Sequence, residues 1–303
     1  MNNICVVVVT YNRLEKLKNC LSALAVQKHS PKTVIVVDNA SSDGTDVFLS
    51  APPAYPFLLR YERLPENVGG AGGFTHGIKC FLQTDDEGVW LMDDDSLPTF
   101  DALLNLLAGE ARAAALGITA DILASKVLWT NGELHPWNIP SPRYRKTRQC
   151  FDLIGQGLFP IRSASFLSIL VRRESVERCG LPVADYFIYN DDIEYTGRIL
   201  RQGIGLLVPN SVCVHDTTKE SVRFKLPPER LRFEVRNKLW MIFCSPAWEL
   251  RERLYYLLIL GKNILNHCWP LRIFPSTFWA VCSGTIAAVR KRTKQVDAAG
   301  PQE

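Results

Sequence analysis

Residues 90–96 read WLMDDDS, an apolar run set directly against the consecutive carboxylates Asp93, Asp94 and Asp95. Adjacent carboxylates repel one another and resist desolvation, so they belong either in a solvated turn or where a cation compensates them. The plainer arrangement is a solvated helix cap ahead of LPTFDALL, where negative charge meets the positive helix end. The chemical one is a D-x-D pair, Asp93 and Asp95, that binds a hard divalent ion and through it compensates a departing diphosphate. Residues 190–195, NDDIEY, pose the same choice with Asp191, Asp192 and Glu194. They form a capping cluster, or they supply a general base that takes the proton of an acceptor hydroxyl. The aromatics of the preceding DYFIY suit a sugar-stacking wall and a core equally.

His215 closes the run VCVH and precedes Asp216. A lone histidine is commonly structural, but beside a D-x-D pair a neutral imidazole readily completes an oxygen-rich Mn²⁺ site. The stretch ENVGGAGGF, 66–74, offers backbone amides with little steric bulk to a phosphate or ribose, or else makes a tight strand-to-helix turn. It is not the dinucleotide fingerprint, because Thr75 stands where a third glycine is required, and there is no G-K-[ST] P-loop.

These groups are far apart in sequence, so the fold must bring them together. ICVVVVT (4–10) is a continuous apolar run of the kind a strand covered on both faces requires. Leu14, Leu17, Leu21 and Leu24 follow at helical spacing, and TVIVVDNASSDGT gives a second buried strand running into a polar turn, completing a βαβ unit. FLLRYERL and GVWLMDDD read as strands with a helix over FTHGIKCFLQ between them. Such an alternation predicts an open α/β sheet whose ligands bind beyond the carboxyl ends of its strands. Thr10–Arg13, Asp38–Ser42 and Asp93–Asp95 all fall at such ends. Further on, DILASKVLW, ASFLSILVRR and GIGLLVPNSVCVHD read as strands around a Pro-rich basic stretch, HPWNIPSPRYRKTR. The second half of DYFIYNDDIEYTGRILRQG is helical, and beyond 228 the pattern is helical and amphipathic. No internal repeat is present, and QVDAAGPQE reads as a frayed end.

With 303 residues, 47% hydrophobic and 22% charged, the chain has the composition of a globular protein rather than a disordered or fibrous one. The formal net charge of +4 is modest, and no nucleic-acid partner is expected. Its distribution says more: acidic clusters near 85–95 and 185–194 suit a cation, and basic ones at 143–148 and 290–294 suit an anionic partner. The nine cysteines include no C-x-x-C pair, which points to free thiols in a reducing compartment. The amino-terminal stretch lacks the basic region of a signal peptide, and Lys262, Asn263, Asn266 and His267 interrupt the most apolar carboxy-terminal stretch. A cytoplasmic location is expected, with no signal for an oligomeric state.

In their order along residues 1–220, VVVVTYNRLEKLKNCLSAL, IVVDNASSDGT, ENVGGAGGF, WLMDDDSLP, YFIYNDDIEYTGRIL and VCVHD resemble the inverting family-2 glycosyltransferases of GT-A fold. Within them N-x-G-G-A-G-G-F, W-x-M-D-D-D and N-D-D-x-E-Y look most like the galactofuranosyltransferase and rhamnosyltransferase-like branch. The resemblance implies a Rossmann-like, mostly parallel mixed sheet with flanking helices over 1–220 and a helical region over 221–303. It implies that Thr10, Tyr11, Asn12 and Arg13 line the nucleotide pocket, that Asp38 contacts the base, and that Asn67 and Gly70 lie along the nucleotide-sugar. Asp93 and Asp95 match the D-x-D ends, facing nucleotide and metal (Mn²⁺ or Mg²⁺), with His215 matching the distal ligand. Asp192 matches the catalytic base and Asp191 a neighbouring acceptor contact; Asp94 has no assigned role. Where the galactofuranosyl relatives often carry a tryptophan before the Asp pair, this chain has Asn190.

The activity so implied is metal-dependent, inverting transfer of a sugar, galactofuranose from UDP-galactofuranose or rhamnose from dTDP-rhamnose. The acceptor is a hydroxyl of a glycan or lipid-linked oligosaccharide in bacterial cell-surface polysaccharide synthesis. A catalytically silent nucleotide-sugar-binding scaffold is the alternative of another class, disfavoured because both Asp groups and the histidine are present together. The carboxy-terminal helices LRFEVRNKLWMIF, LRERLYYLLILGKNIL and TFWAVCSGTIAAVRKRTK either pack as a helical subdomain or rest on an anionic membrane beside Arg290, Lys291, Arg292 and Lys294. The second arrangement places the protein on the cytoplasmic face of the inner membrane.

Overall fold

The computed structural model of the chain describes residues 1–143, 147–217, 227–268 and 275–290. The amino-terminal half alternates as the hydrophobic pattern requires. Strand β1 (Ile4–Thr10), helix α1 (Leu14–Ala25), β2 (Thr33–Asp38), α2 (Thr45–Ser50), β3 (Leu58–Arg63), α3 (Gly69–Leu82) and β4 (Gly88–Asp93) follow in turn. The sequence then runs through β5 (Ser96–Pro98), α4 (Ala102–Ala114), β6 (Ile122–Trp129), β7 (Ser141–Pro142), α5 (Arg148–Gly155), β8 (Phe159–Ser163), β9 (Ile169–Arg172), α6 (Arg173–Cys179), α7 (Asp191–Ile199) and β10 (Gly205–His215). Three further helices, α8 (Pro228–Phe243), α9 (Leu250–Cys268) and α10 (Pro275–Arg290), complete the described part.

The strands form one mixed sheet in the order β3-β2-β1-β4-β9-β6-β10-β8-β7, with β5 alongside β10. Strands β1 to β4 are mutually parallel where they pair, and β9 runs antiparallel to both β4 and β6. Every residue of β1 is buried, because both faces are covered. Val6 and Val8 join Leu17 and Leu21 of α1 and Leu103 and Leu106 of α4 on one face. Val7 and Val9 join Phe74 and Ile78 of α3 and Ile199 of α7 on the other. The register aligns the carboxyl ends: Thr10 stands opposite Asp38, Val9 opposite Asp93 and Asp38 opposite Arg63. The reversal of strand order at β1 makes this edge the crevice of an open α/β sheet.

Two local expectations are corrected, and one of two open alternatives is removed. The helix read from Phe74 begins at Gly69, so most of the glycine-rich run is helix rather than turn. Its glycines are there for packing: a Cβ on Gly73 would lie 2.5 Å from Val9 Cγ1, and one on Gly77 2.3 Å from Val7 Cγ1. Second, the strand read over 164–173 is confined to Ile169–Arg172, after a positive φ of 61° at Ser168. Third, Asp93–Asp95 do not form a solvated cap. The strand β5 separates them from α4, and Asp94 and Asp95 are buried.

The carboxy-terminal helices dock on the carboxyl-end side of the sheet. Trp240 of α8 packs edge-on against Tyr186, and Arg162 of β8 stacks on Trp248 while pairing with Glu252 of α9. No helix among the described residues is long and apolar enough to cross a membrane. Cys5, Cys20, Cys80, Cys150, Cys179, Cys213, Cys244 and Cys282 are free. Lys291, Arg292 and Lys294, with Arg145 and Lys146 of the Pro-rich stretch and the terminal QVDAAGPQE, lie outside the described residues.

Candidate active site

The three carboxylates after β4 separate in function of position. Asp94 turns back to the sheet edge, where its Oδ2 accepts from Thr10 Oγ1 at 2.7 Å and its Oδ1 from Arg13 at 3.3 Å. That gives the middle aspartate a structural tie that no spacing rule revealed. Burial raises its pKa to about 6 against the opposing pull of Arg13. The same guanidinium reaches Asp95 Oδ2 at 2.7 Å. Asp93, half-buried, opens on the cavity and is pushed well above the usual carboxylate range by burial and then by Asp95 and Asp94. For Asp95 burial acts upward as well, but His215 and Arg13 outweigh it and hold the carboxyl below its ordinary value.

His215, at the end of β10, places Nε2 3.3 Å from Asp95 Oδ1. That oxygen is buried and accepts no hydrogen bond. The other ring nitrogen, Nδ1, is 3.0 Å from Asn138 Oδ1, and Asn138 Nδ2 donates to Ser165 Oγ at 2.9 Å, which orients the amide. Nδ1 therefore donates to Asn138, and unless Nε2 also carries the proton that pairs His215 with Asp95, it directs a lone pair at the carboxylate oxygen. Two lone pairs so placed need a proton or a cation between them. Asp95 and His215, with the orphaned oxygen between them, have donor types that suit a divalent ion, and Asp93 opens on the same cavity, although ligand atoms of the three do not all lie within 4.8 Å of one another.

The second carboxylate pair opens α7. Asp191 is buried and Asp192 half-buried, and Asp192 Oδ1 accepts from Ile193 N at 2.7 Å. Burial raises both, Asp191 further because Asp192 lies beside it, while Ile193 N and Lys238 restrain the rise at Asp192. Asn190 sits between this pair and α8: its Nδ2 donates to Glu234 at 2.7 Å and its Oδ1 accepts from Lys238 at 3.1 Å.

Arg13, Gly70, Asp93, Asp191, Asp192 and His215 all line one cavity of about 1040 Å³. Among the glycines of α3, Gly70 alone lines it, and a Cβ there would meet nothing within 4 Å. The remaining candidates stand behind or beside this wall. Thr10 is spent on Asp94, and Asp38 is fully buried, accepting from Tyr61 Oη at 3.1 Å and Ser41 N at 2.8 Å. Asn12 has a φ of 53° and receives Ser42 N, Tyr11 is exposed, and Asn67 Oδ1 accepts from Gly69 N at the start of α3. The aromatics of DYFIY divide: Tyr186 is core, Phe187 stacks on Phe233, and Tyr189 lines the cavity.

Sequence reasoning missed Asn138, Glu234, Asn237 and Lys238. For the last three the signal lay in LRFEVRNKLW, where Glu234, Asn237 and Lys238 recur at helical spacing on one face. A separate grouping, Glu62, His76 and Cys80, brings ligand-type atoms within 4.8 Å of one another between β3 and α3. There Glu62 is already paired with Arg60 at 2.6 Å and His76 at 3.2 Å, so the grouping satisfies its own charge.

The family model of Glycosyl transferase family 2 matches residues 5–179. The chain belongs to that family. It is 27% identical over 210 residues to the galactofuranosyltransferase GlfT1 of Mycolicibacterium smegmatis, covering 66% of each chain. It is 30% identical over 216 residues to GlfT1 of Mycobacterium tuberculosis, covering 65% of this chain and 64% of that one. The chain thus spans just under two thirds of these relatives' length. Among solved structures, it superposes on Staphylococcus aureus TarS 1–349 in complex with UDP-GlcNAc with a TM-score of 0.63 at 16% identity, over 98% of this chain and 84% of that one. A mannosyltransferase of Pyrobaculum calidifontis, in complex with GDP-Man and Mn²⁺, gives a TM-score of 0.52 at 19% identity, over 99% and 76%. The GT-A architecture of this family-2 member therefore agrees with the resemblance drawn from its motifs.

Proposed function

We propose that this glycosyltransferase moves galactofuranose from UDP-galactofuranose, with inversion, onto a hydroxyl of a glycan or lipid-linked acceptor in cell-surface polysaccharide synthesis. The observation that carries the proposal is the opening of two carboxylate groups, Asp93 with the buried Asp95 and His215 behind it, and Asp191 with Asp192, on a single cavity. The galactofuranosyl choice over rhamnosyl rests on the relatives named above.

In this reading the nucleotide lies along the carboxyl edge of β1 and β2, near Thr10, Tyr11, Asn12, Arg13 and Asp38, with Asn67 and Gly70 beside the sugar. Asp93, Asp95 and His215 would hold a divalent ion, Mn²⁺ or Mg²⁺, which would supply charge compensation for the leaving diphosphate. Asp192 takes the acceptor proton as the acceptor oxygen forms its bond to the anomeric carbon and the bond to the diphosphate breaks. A carboxyl raised toward neutrality by burial is suited to that transfer, and Asp191, raised further, stays protonated and donates to the acceptor. Leu258 and Leu254 of α9 and Trp279 of α10 are exposed, which supports an interfacial contact at the inner membrane.

A donor panel tests the proposal directly. With acceptor extract and Mn²⁺ present, nucleoside diphosphate release is expected from UDP-galactofuranose; release from dTDP-rhamnose alone would reassign the donor. Thermal stabilisation by UDP in preference to dTDP is the corresponding binding result.

A further inference from the structure

The chain entering Asp191 follows a costly path. Phe187, Tyr189 and Asn190 have φ values of 64°, 68° and 64°, and none is glycine. At Phe187 the ψ of −58° and the 2.7 Å bond from Ile188 N to Tyr186 O make a γ-turn of the strained hand. Non-glycine residues held in such regions persist only where their surroundings over-determine them.

Those surroundings centre on one side chain. Asn237, in the middle of α8 and wholly buried, shares the two N–H groups of Nδ2 among three carbonyls, Tyr186 O at 2.9 Å, Ile188 O at 2.6 Å and Tyr189 O at 2.9 Å. Only the nitrogen end of an amide can face three carbonyls, and Oδ1 accepts from Arg236 Nε at 2.9 Å. Arg236 also donates to Asp185 O and Tyr186 O. From the opposite side, Ala71 N holds Phe187 O at 3.2 Å, and a Cβ on Gly69 would come within 2.0 Å of that oxygen. The segment is clamped between α8 and the start of α3, and it delivers Asp191 and Asp192 to the cavity.

We infer that Asn237 is a positioning residue for the transfer reaction: by its three carbonyl contacts it holds 186–190 in the strained path that aims the Asp191–Asp192 pair. Helix α8 thereby sets the geometry of the base as well as lining the cavity. The inference rests on the proposed role of Asp192.

The test uses the full chain with Asn237→Ala and Asn237→Asp, the second keeping the size while setting an acceptor-only carboxylate against three carbonyls. A misplaced base is expected to lower kcat about ten- to a hundredfold. UDP affinity is expected to stay unchanged, and amide-exchange protection to fall over 183–192 while β1 and β4 keep theirs. Adding Phe187→Gly to Asn237→Ala is expected to restore part of kcat, because glycine accepts the positive φ without steric cost. Unchanged kcat in both Asn237 variants overturns the inference. So does a loss of kcat matched by equal losses of UDP affinity and β1 protection, and so does absence of rescue by Phe187→Gly. If the wild-type chain transfers no sugar, the proposed function fails instead, and the exchange result still decides whether Asn237 holds the segment.

Discussion

Gly70 and Gly73 lie one helical turn apart in α3, and replacing each by alanine separates cavity from packing. At Gly73 the new methyl meets Val9 Cγ1 at 2.5 Å, Asn39 Nδ2 at 3.1 Å and Val9 Cγ2 at 3.3 Å. Valine has little rotamer freedom with which to yield, so the helix must move off β1, at a cost of about 1–3 kcal/mol. At Gly70 nothing lies within 4 Å, and the methyl projects toward the cavity. There the lost backbone entropy of glycine is recovered, a gain of up to about 1 kcal/mol. With about 2 °C per kcal/mol for a chain of this size, Gly73→Ala is expected to melt about 2–6 °C lower and Gly70→Ala about 1–2 °C higher. Activity should move the other way for Gly70→Ala: a methyl in a fitted binding site is worth about 1–3 kcal/mol, or roughly 10–200-fold in kcat/KM. Differential scanning fluorimetry and nucleoside diphosphate release measure both quantities. A stable Gly73→Ala would refute the packing account of the glycine run, and a Gly70→Ala of unchanged kcat/KM would remove Gly70 from the donor path.

His215→Ala should raise the Mn²⁺ concentration needed for half-maximal activity and weaken Mn²⁺ binding measured by electron paramagnetic resonance; identical titrations would argue against ligation. Turnover should fall as the solution is acidified through about pH 6, because a base must be ionised to act and Asp192 titrates at about 6; a profile flat through that region would exclude it. Asp191, raised to about 8 by burial, keeps in the native state a proton that the unfolded chain loses near about pH 3.9, so stability declines between those values. Asp191→Asn should therefore raise the melting temperature by a margin that grows from pH 5 to pH 8, and a constant margin would contradict the assignment. Anionic liposomes should co-sediment the wild-type chain more than a Leu254→Ser, Leu258→Ser, Trp279→Ser variant, and equal binding would remove the membrane contact.

The parallel strands were legible because β1 and β2 are buried on both faces, which leaves an uninterrupted apolar run and little ambiguity. The carboxylate groups were legible because such charge density needs compensation wherever it is buried. What escaped notice was long-range. Nothing local distinguishes Asp94 from its neighbours until Thr10 and Arg13, 84 and 81 positions away, reach it across the sheet edge. The glycine run read as a phosphate-facing stretch or a tight turn because a constraint on it, Val9 against Gly73, belongs to another element. Asn237 was hidden for the same reason: its partners are main-chain carbonyls 48 to 51 positions earlier.

The central claim is that Asp192 serves as the base in galactofuranosyl transfer at this cavity. Its most direct test measures Asp192→Asn twice, for transfer from UDP-galactofuranose and for UDP affinity in the presence of Mn²⁺. Abolished transfer with unaltered UDP affinity is the expected result; turnover at the wild-type rate would contradict the account.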